Sequence, residues 1–100
     1  MAYDPEVARR FGLNLRKARK RAGLSQEEVG FCASLHRTEV GLLERGARMP
    51  RIDTLVKVAA AVGVRIDCAL LAGVAWNSGD VRFEAGEFTF EDPPDRREDP

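Results

Sequence analysis

The stretch from Ser25 to Gly46, SQEEVGFCASLHRTEVGLLERG, constrains this chain more than any other, because two helix starts stand only eleven residues apart in it. Ser25 and Glu28 have the form of a capping box: the hydroxyl accepts the N–H of the third helical residue, and that residue's carboxylate accepts the N–H of the cap. Leu24 and Val29 flank the box at the spacing of a hydrophobic staple, and Leu35 and Val40 repeat the spacing around His36. The pattern predicts a short helix over about Gln26–Ala33, then a second from Arg37 to about Arg45, with His36 as its cap and Gly46 as its stop. Gly30 is small where the two helices cross, and Val29, Val40 and Leu43 are the apolar anchors that hold the pair to a larger body.

That body is legible on either side. Asp4 is an N-cap, Pro5 fits the first helical turn, and Val7, Phe11, Leu15, Ala18 and Ala22 form one apolar stripe up to Gly23. Leu13 falls off the stripe. After the loop 47–50, a fourth helix carries Ile52, Leu55, Val56, Val58, Ala59 and Val62 and stops at Gly63. A fifth covers about Ile66–Ala72, with Ile66, Ala69 and Leu70 apolar, and ends at Gly73. Arg51 and Arg65 stand at the N-cap positions of these last two, where they cap poorly; Asp53 and Asp67 compensate through the helix dipole. The expected fold class is all-α, a bundle of five short helices with a C-terminal extension.

The extension has its own character. Val81/Phe83 and Phe88/Phe90 alternate with period two about Ala85-Gly86, which reads as a β-hairpin or two short strands. The last ten residues, EDPPDRREDP, are charged and proline-rich and read as disordered. The expected division is therefore a domain over 1–76, an extension over 77–90 and a tail over 91–100.

Charge is zero in total but unevenly placed. Residues 1–76 carry 13 Lys/Arg against 8 Asp/Glu, and residues 77–100 carry 3 against 8. A basic body with an acidic tail suits binding to phosphates through one face. Cys32 and Cys68 have no CxxC spacing and only one histidine accompanies them, so they read as reduced, buried core thiols and no metal site is expected. No nucleophile motif and no glycine-rich phosphate loop is present, which argues against an enzyme and against a cofactor. Without an apolar run of membrane-spanning length or a signal-peptide core, the expected location is the cytoplasm.

Two short helices joined by a turn of about three residues make a helix-turn-helix, whose second helix offers its N-terminal residues to base edges in the major groove. The words FGLNLRKARKRAGLSQEEVG, HRTEVGLLERGARMP and TLVKVAAAVGV, in one collinear run from about Phe11 to Gly73, resemble the Cro/repressor-type (xenobiotic-response-element type) helix-turn-helix family. The resemblance implies a five-helix repressor-like fold and a dimeric transcriptional repressor on double-stranded DNA. By position it makes Arg37, Thr38, Glu39 and Leu42 the base-reading set, Gln26, Arg45, Arg48 and Arg51 the phosphate-binding set, and Arg19 with Glu44 an internal ion pair. Two of these stay open. Glu39 is either a capping carboxylate or an acceptor for a cytosine amino group, and Leu42 either touches a thymine methyl or packs inward. The chain departs from the family at Ser34, where glycine is common because the turn takes a positive φ; serine there costs about 1 kcal/mol.

A single recognition helix reads only about four or five base pairs, so a homodimer on a palindromic operator is expected, its half-sites about 34 Å apart. The fifth helix, Val74–Trp76 and Phe83, Phe88 and Phe90 are the expected dimer contacts, since those aromatic side chains on a monomer would leave an unusually large apolar patch. The alternatives are that this extension packs on its own bundle or holds a protein partner, as an antitoxin or adaptor would.

Overall fold

The computed structural model describes residues 4–77 and 86–91. Helix α1 spans Pro5–Arg21, α2 Gln26–Ala33, α3 Arg37–Glu44 and α4 Ile52–Val62; α5, Ile66–Leu70, is a single wide turn, and strands β1 (Val74–Asn77) and β2 (Glu87–Phe90) follow. The caps are those the sequence implies. Asp4 accepts the N–H groups of Glu6 and Val7, Ser25 and Glu28 form the reciprocal box, and the His36 ring accepts the Thr38 N–H.

α1, α2, α3 and α4 all end alike. The residue after the last turn adopts a left-handed conformation, and the N–H beyond it reaches back five residues: Leu24 to Arg19, Leu35 to Gly30, Ala47 to Leu42 and Val64 to Ala59. Glycine holds that position at Gly23, Gly46 and Gly63; between α2 and α3 it is Ser34, with φ 59° and ψ 42°.

The core lies where α1 meets the other helices. Phe11, Leu15, Val29, Val40, Leu43, Val58 and Leu70 are sealed from solvent. Leu24, Leu35, Leu55 and Ile66 close over that core from its rim. The buried face of α1 is wider than its apolar stripe, taking in Ala8, Gly12 and Asn14, whereas Ala22 is exposed and Val7 half-buried. Only Val58, Ala59 and Val62 of α4 are buried; Ile52 is 79% exposed and Val56 53%, because one stripe of a surface helix is all that can face the core.

Three further expectations are corrected. Cys32 and Cys68 are exposed, not core thiols: the inward positions of α2 belong to Val29, Gly30 and Ala33, and that of α5 to Leu70. The fifth helix is shorter than expected, closing with a bond from the Leu71 N–H to the Ile66 carbonyl, five residues back. The partner of β2 is β1, paired antiparallel with Val74 opposite Phe90 and Trp76 opposite Phe88. β1 leaves the helical body straight after Gly73, and the Gly73 carbonyl accepts the Glu91 N–H at 2.9 Å, which closes the ladder against α5. A strand adjoining a helix end, without alternation of its own, gives no period-two signal. Val81 and Phe83 lie outside the described residues, as does the tail from residue 92.

Asn14 explains how α5 is held. Its Nδ2 donates to the carbonyls of Leu70 at 2.9 Å and Ala72 at 3.0 Å, satisfying two C-terminal acceptors that a helix end leaves unpaired.

Candidate nucleic-acid interface

The outer helix of the pair, α3, is anchored on one side and open on the other. Val40 and Leu43 are fully buried beneath it, while His36, Arg37 and Thr38 at its start are exposed. His36 Nδ1 lies 3.1 Å from the Thr38 nitrogen and 3.0 Å from its hydroxyl oxygen, so one ring caps the helix and fixes the threonine side chain.

Two glycines set the placement of α3. A Cβ on Gly12 would overlap the Leu43 carbonyl oxygen and stand 2.5 Å from that of Glu44, so α1 and α3 touch backbone to backbone. A Cβ on Gly30 would stand 2.5 Å from the Leu35 carbonyl oxygen, so α2 packs on the turn that leads into α3. Gly30 is small chiefly for the turn, not for a helix crossing.

A buried polar cluster ties the same elements together. Arg19 donates Nε to Glu44 Oε2 at 2.6 Å and Nη2 to Oε1 at 3.1 Å, and its Nη1 reaches the Leu24 carbonyl at 2.9 Å. Gln26 Nε2 adds a third donor to Glu44 at 3.1 Å. The hydrogen bond to Glu44 raises the Arg19 pKa, against burial, which lowers it. One carboxylate on α3 thus gathers α1, the loop before α2, and the first residue of α2.

The remaining sequence-derived residues are distributed around α3. Leu42 is half-buried and Arg45 exposed. Glu39 does not cap; its Oε1 takes Arg48 Nη1 at 2.6 Å, across the loop that follows α3. Arg51 pairs with Asp53 at 3.0 Å. Gln26, Arg37, Thr38, Glu39, Arg45 and Arg48 therefore belong to α2, α3 and the loop after α3, whereas Trp76, Phe88 and Phe90 sit apart on the strand pair. There Trp76 and Phe88 meet edge to face with centroids 5.1 Å apart, and Trp76 stays 57% exposed. Phe83 is outside the described residues. The reading of the sequence missed Gly12 and Asn14; a glycine inside a strongly periodic helix was the available signal for the first.

No group of three or more His, Cys, Asp or Glu side chains able to hold a metal ion occurs among the described residues. No described helix is long and apolar enough to cross a membrane.

A two-helix unit braced on a helical platform, with an exposed arginine and threonine opening its outer helix, defines a helix-turn-helix DNA-binding protein. The chain belongs to the helix-turn-helix family of transcriptional regulators, of the Cro/repressor type, and the family profile matches residues 15–67. Control protein C.BamHI of Bacillus amyloliquefaciens is 38% identical over 56 residues, covering 55% of this chain and 69% of that protein. The restriction-modification controller protein C.AhdI of Aeromonas hydrophila superposes with a TM-score of 0.57 at 38% identity, over 58% of this chain and 88% of that one. The clp gene regulator ClgR of C. glutamicum shares the fold, with a TM-score of 0.62 at 23% identity, over 66% of this chain and 86% of that one.

Proposed function

We propose that the chain is a dimeric repressor that reads a palindromic operator with the N-terminal half of α3 in the major groove. The observation that carries this is the asymmetry of α3: Val40 and Leu43 are sealed into the core while Arg37 and Thr38 stand in solvent one turn earlier. Arg37 bears the donor fork that guanine O6 and N7 accept. On this reading Gln26, Arg45 and Arg51 contact the phosphates on either side, Gln26 and Arg51 through donors beyond those given to Glu44 and Asp53.

Dimerisation supplies the second half-site. A cavity of about 440 Å³ between α4 and α5, lined by Val56, Val64, Ile66 and Leu71 with Arg65 and Asp67 at its edge, adjoins the exposed Ile52–Val56 face. This surface and the aromatic strand pair are the parts that a second copy would cover.

Selection of bound duplexes from a random pool tests the reading. Two inverted half-sites one helical turn apart, about 34 Å, are expected. Enrichment of a lone half-site would remove the dimer, and binding insensitive to salt would move the function to a protein partner held through the C-terminal extension. Identity of 38% to a control protein and to a restriction-modification controller protein also favours a narrower role, control of restriction-modification genes. The selected operator should then lie upstream of such genes.

A further inference from the structure

Resting on the DNA-reading role of α3, we propose that Arg48 is a positioning residue for Glu39, and that Glu39 so held selects a base presenting an exocyclic amino group. Glu39 is the third residue of α3, in its first turn, where a carboxylate can accept the N–H of the capping residue. Here the His36 ring caps α3, taking the Thr38 N–H at 3.1 Å, and Glu39 turns instead to Arg48 at 2.6 Å. The Glu39 side chain is 25% exposed and that of Arg48 54%. An exposed pair of this kind adds little to folding stability, so its consequence is one of orientation.

The chemistry then follows from the groove. An isolated carboxylate carried toward DNA meets repulsion from phosphates on both strands. Arg48 offsets that charge through one oxygen, and Oε2 is left with no partner among the described residues. A carboxylate oxygen only accepts hydrogen bonds. In the major groove the donors are the amino groups of cytosine and adenine, while guanine and thymine present acceptors at the corresponding edge. Arg48 is thereby drawn from the phosphate-binding set into the specificity of α3.

The test measures affinity for four duplexes that differ only at the base pair facing Glu39, using the full chain and its Glu39→Ala, Arg48→Ala and doubly substituted forms. The unsubstituted chain should favour cytosine or adenine there about tenfold, Glu39→Ala should level that position alone, and Arg48→Ala should lower the preference to about twofold. Arg48→Ala should cost nothing more once Glu39 is already alanine. Equal weakening on all four duplexes in both backgrounds, with the salt slope reduced by about one, would make Arg48 a phosphate contact and overturn the proposal. So would an undiminished preference in Glu39→Ala. A parent chain that enriches no sequence removes the DNA-reading role and this inference together, whereas the other failures leave that role standing.

Discussion

Arg19 on α1 and Glu44 at the end of α3 form a two-pronged ion pair, at 2.6 and 3.1 Å, with side chains only 12% and 4% exposed. Such a pair is weak evidence of net stability, since desolvation opposes the attraction, but breaking it by removing one partner leaves an uncompensated charge. Glu44→Ala should lower stability by about 3–5 kcal/mol. Replacing both residues by apolar ones of similar volume should cost far less. Urea unfolding of the parent and these two variants checks this; equal losses in the single and double variants would contradict it.

Gly12 sets two effects against each other. Alanine gains about 1 kcal/mol of helix propensity over glycine. Its Cβ would also meet the backbone oxygens of Leu43 and Glu44, at 2.5 Å for the latter, and backbone cannot swing aside as a side-chain tip can. Overpacking costs about 1–3 kcal/mol and upward, so Gly12→Ala should be net destabilising and should weaken DNA binding by displacing α3. A thermally more stable variant would show that α1 and α3 do not touch there.

Ser34 has room to improve. It holds a left-handed conformation, φ 59°, at the place where the other helix ends have glycine. The conformation costs a residue with a Cβ about 1–2 kcal/mol, and glycine returns part of that through the entropy of its unfolded chain. Ser34→Gly should stabilise by about 0.5–1 kcal/mol, and Ser34→Val should destabilise, both read from denaturation midpoints.

Arg37 is exposed at the α3 start and contributes nothing to the core. Arg37→Ala should leave the melting temperature unchanged, weaken operator binding by about 1–3 kcal/mol, and relax preference at one base pair of each half-site. Titration of matched and mismatched duplexes reads both effects. Retained affinity and preference would take Arg37 out of the reading set.

Asp67 gives a pH signature. The hydrogen bond from Arg65, joined by the Cys68 N–H, holds its carboxyl at about 2, well below the usual carboxylate value. The folded state thus favours the ionised form. Its contribution is present above about pH 4, the unfolded value, and is lost as pH falls toward the folded value near 2. Asp67→Asn should therefore be less stable than the parent at pH 6, with the two unfolding midpoints converging between pH 4 and 2. Midpoints that stay parallel would rule the effect out.

What the sequence determined by itself is whatever short-range chemistry decides. Ser25 with Glu28 and His36 before Arg37 fix the helix starts, because a cap and its target N–H groups lie within three residues. The positive φ at Ser34 follows equally locally, from one helix ending and another beginning within three positions. Period-two alternation marked β2 through Phe88 and Phe90.

The tertiary structure alone decided the rest. That Gly12 touches α3, that Asn14 closes α5, that Glu39 turns to Arg48 and that β2 finds β1 are pairings between residues brought together by packing, up to 58 positions apart for Asn14 and Ala72. Exposure of Cys32, Cys68, Ile52 and Val56 is of the same kind. An apolar side chain states a preference for burial, but a helix lying on a surface has one inward stripe, and its rotation against the core chooses which residues fill it.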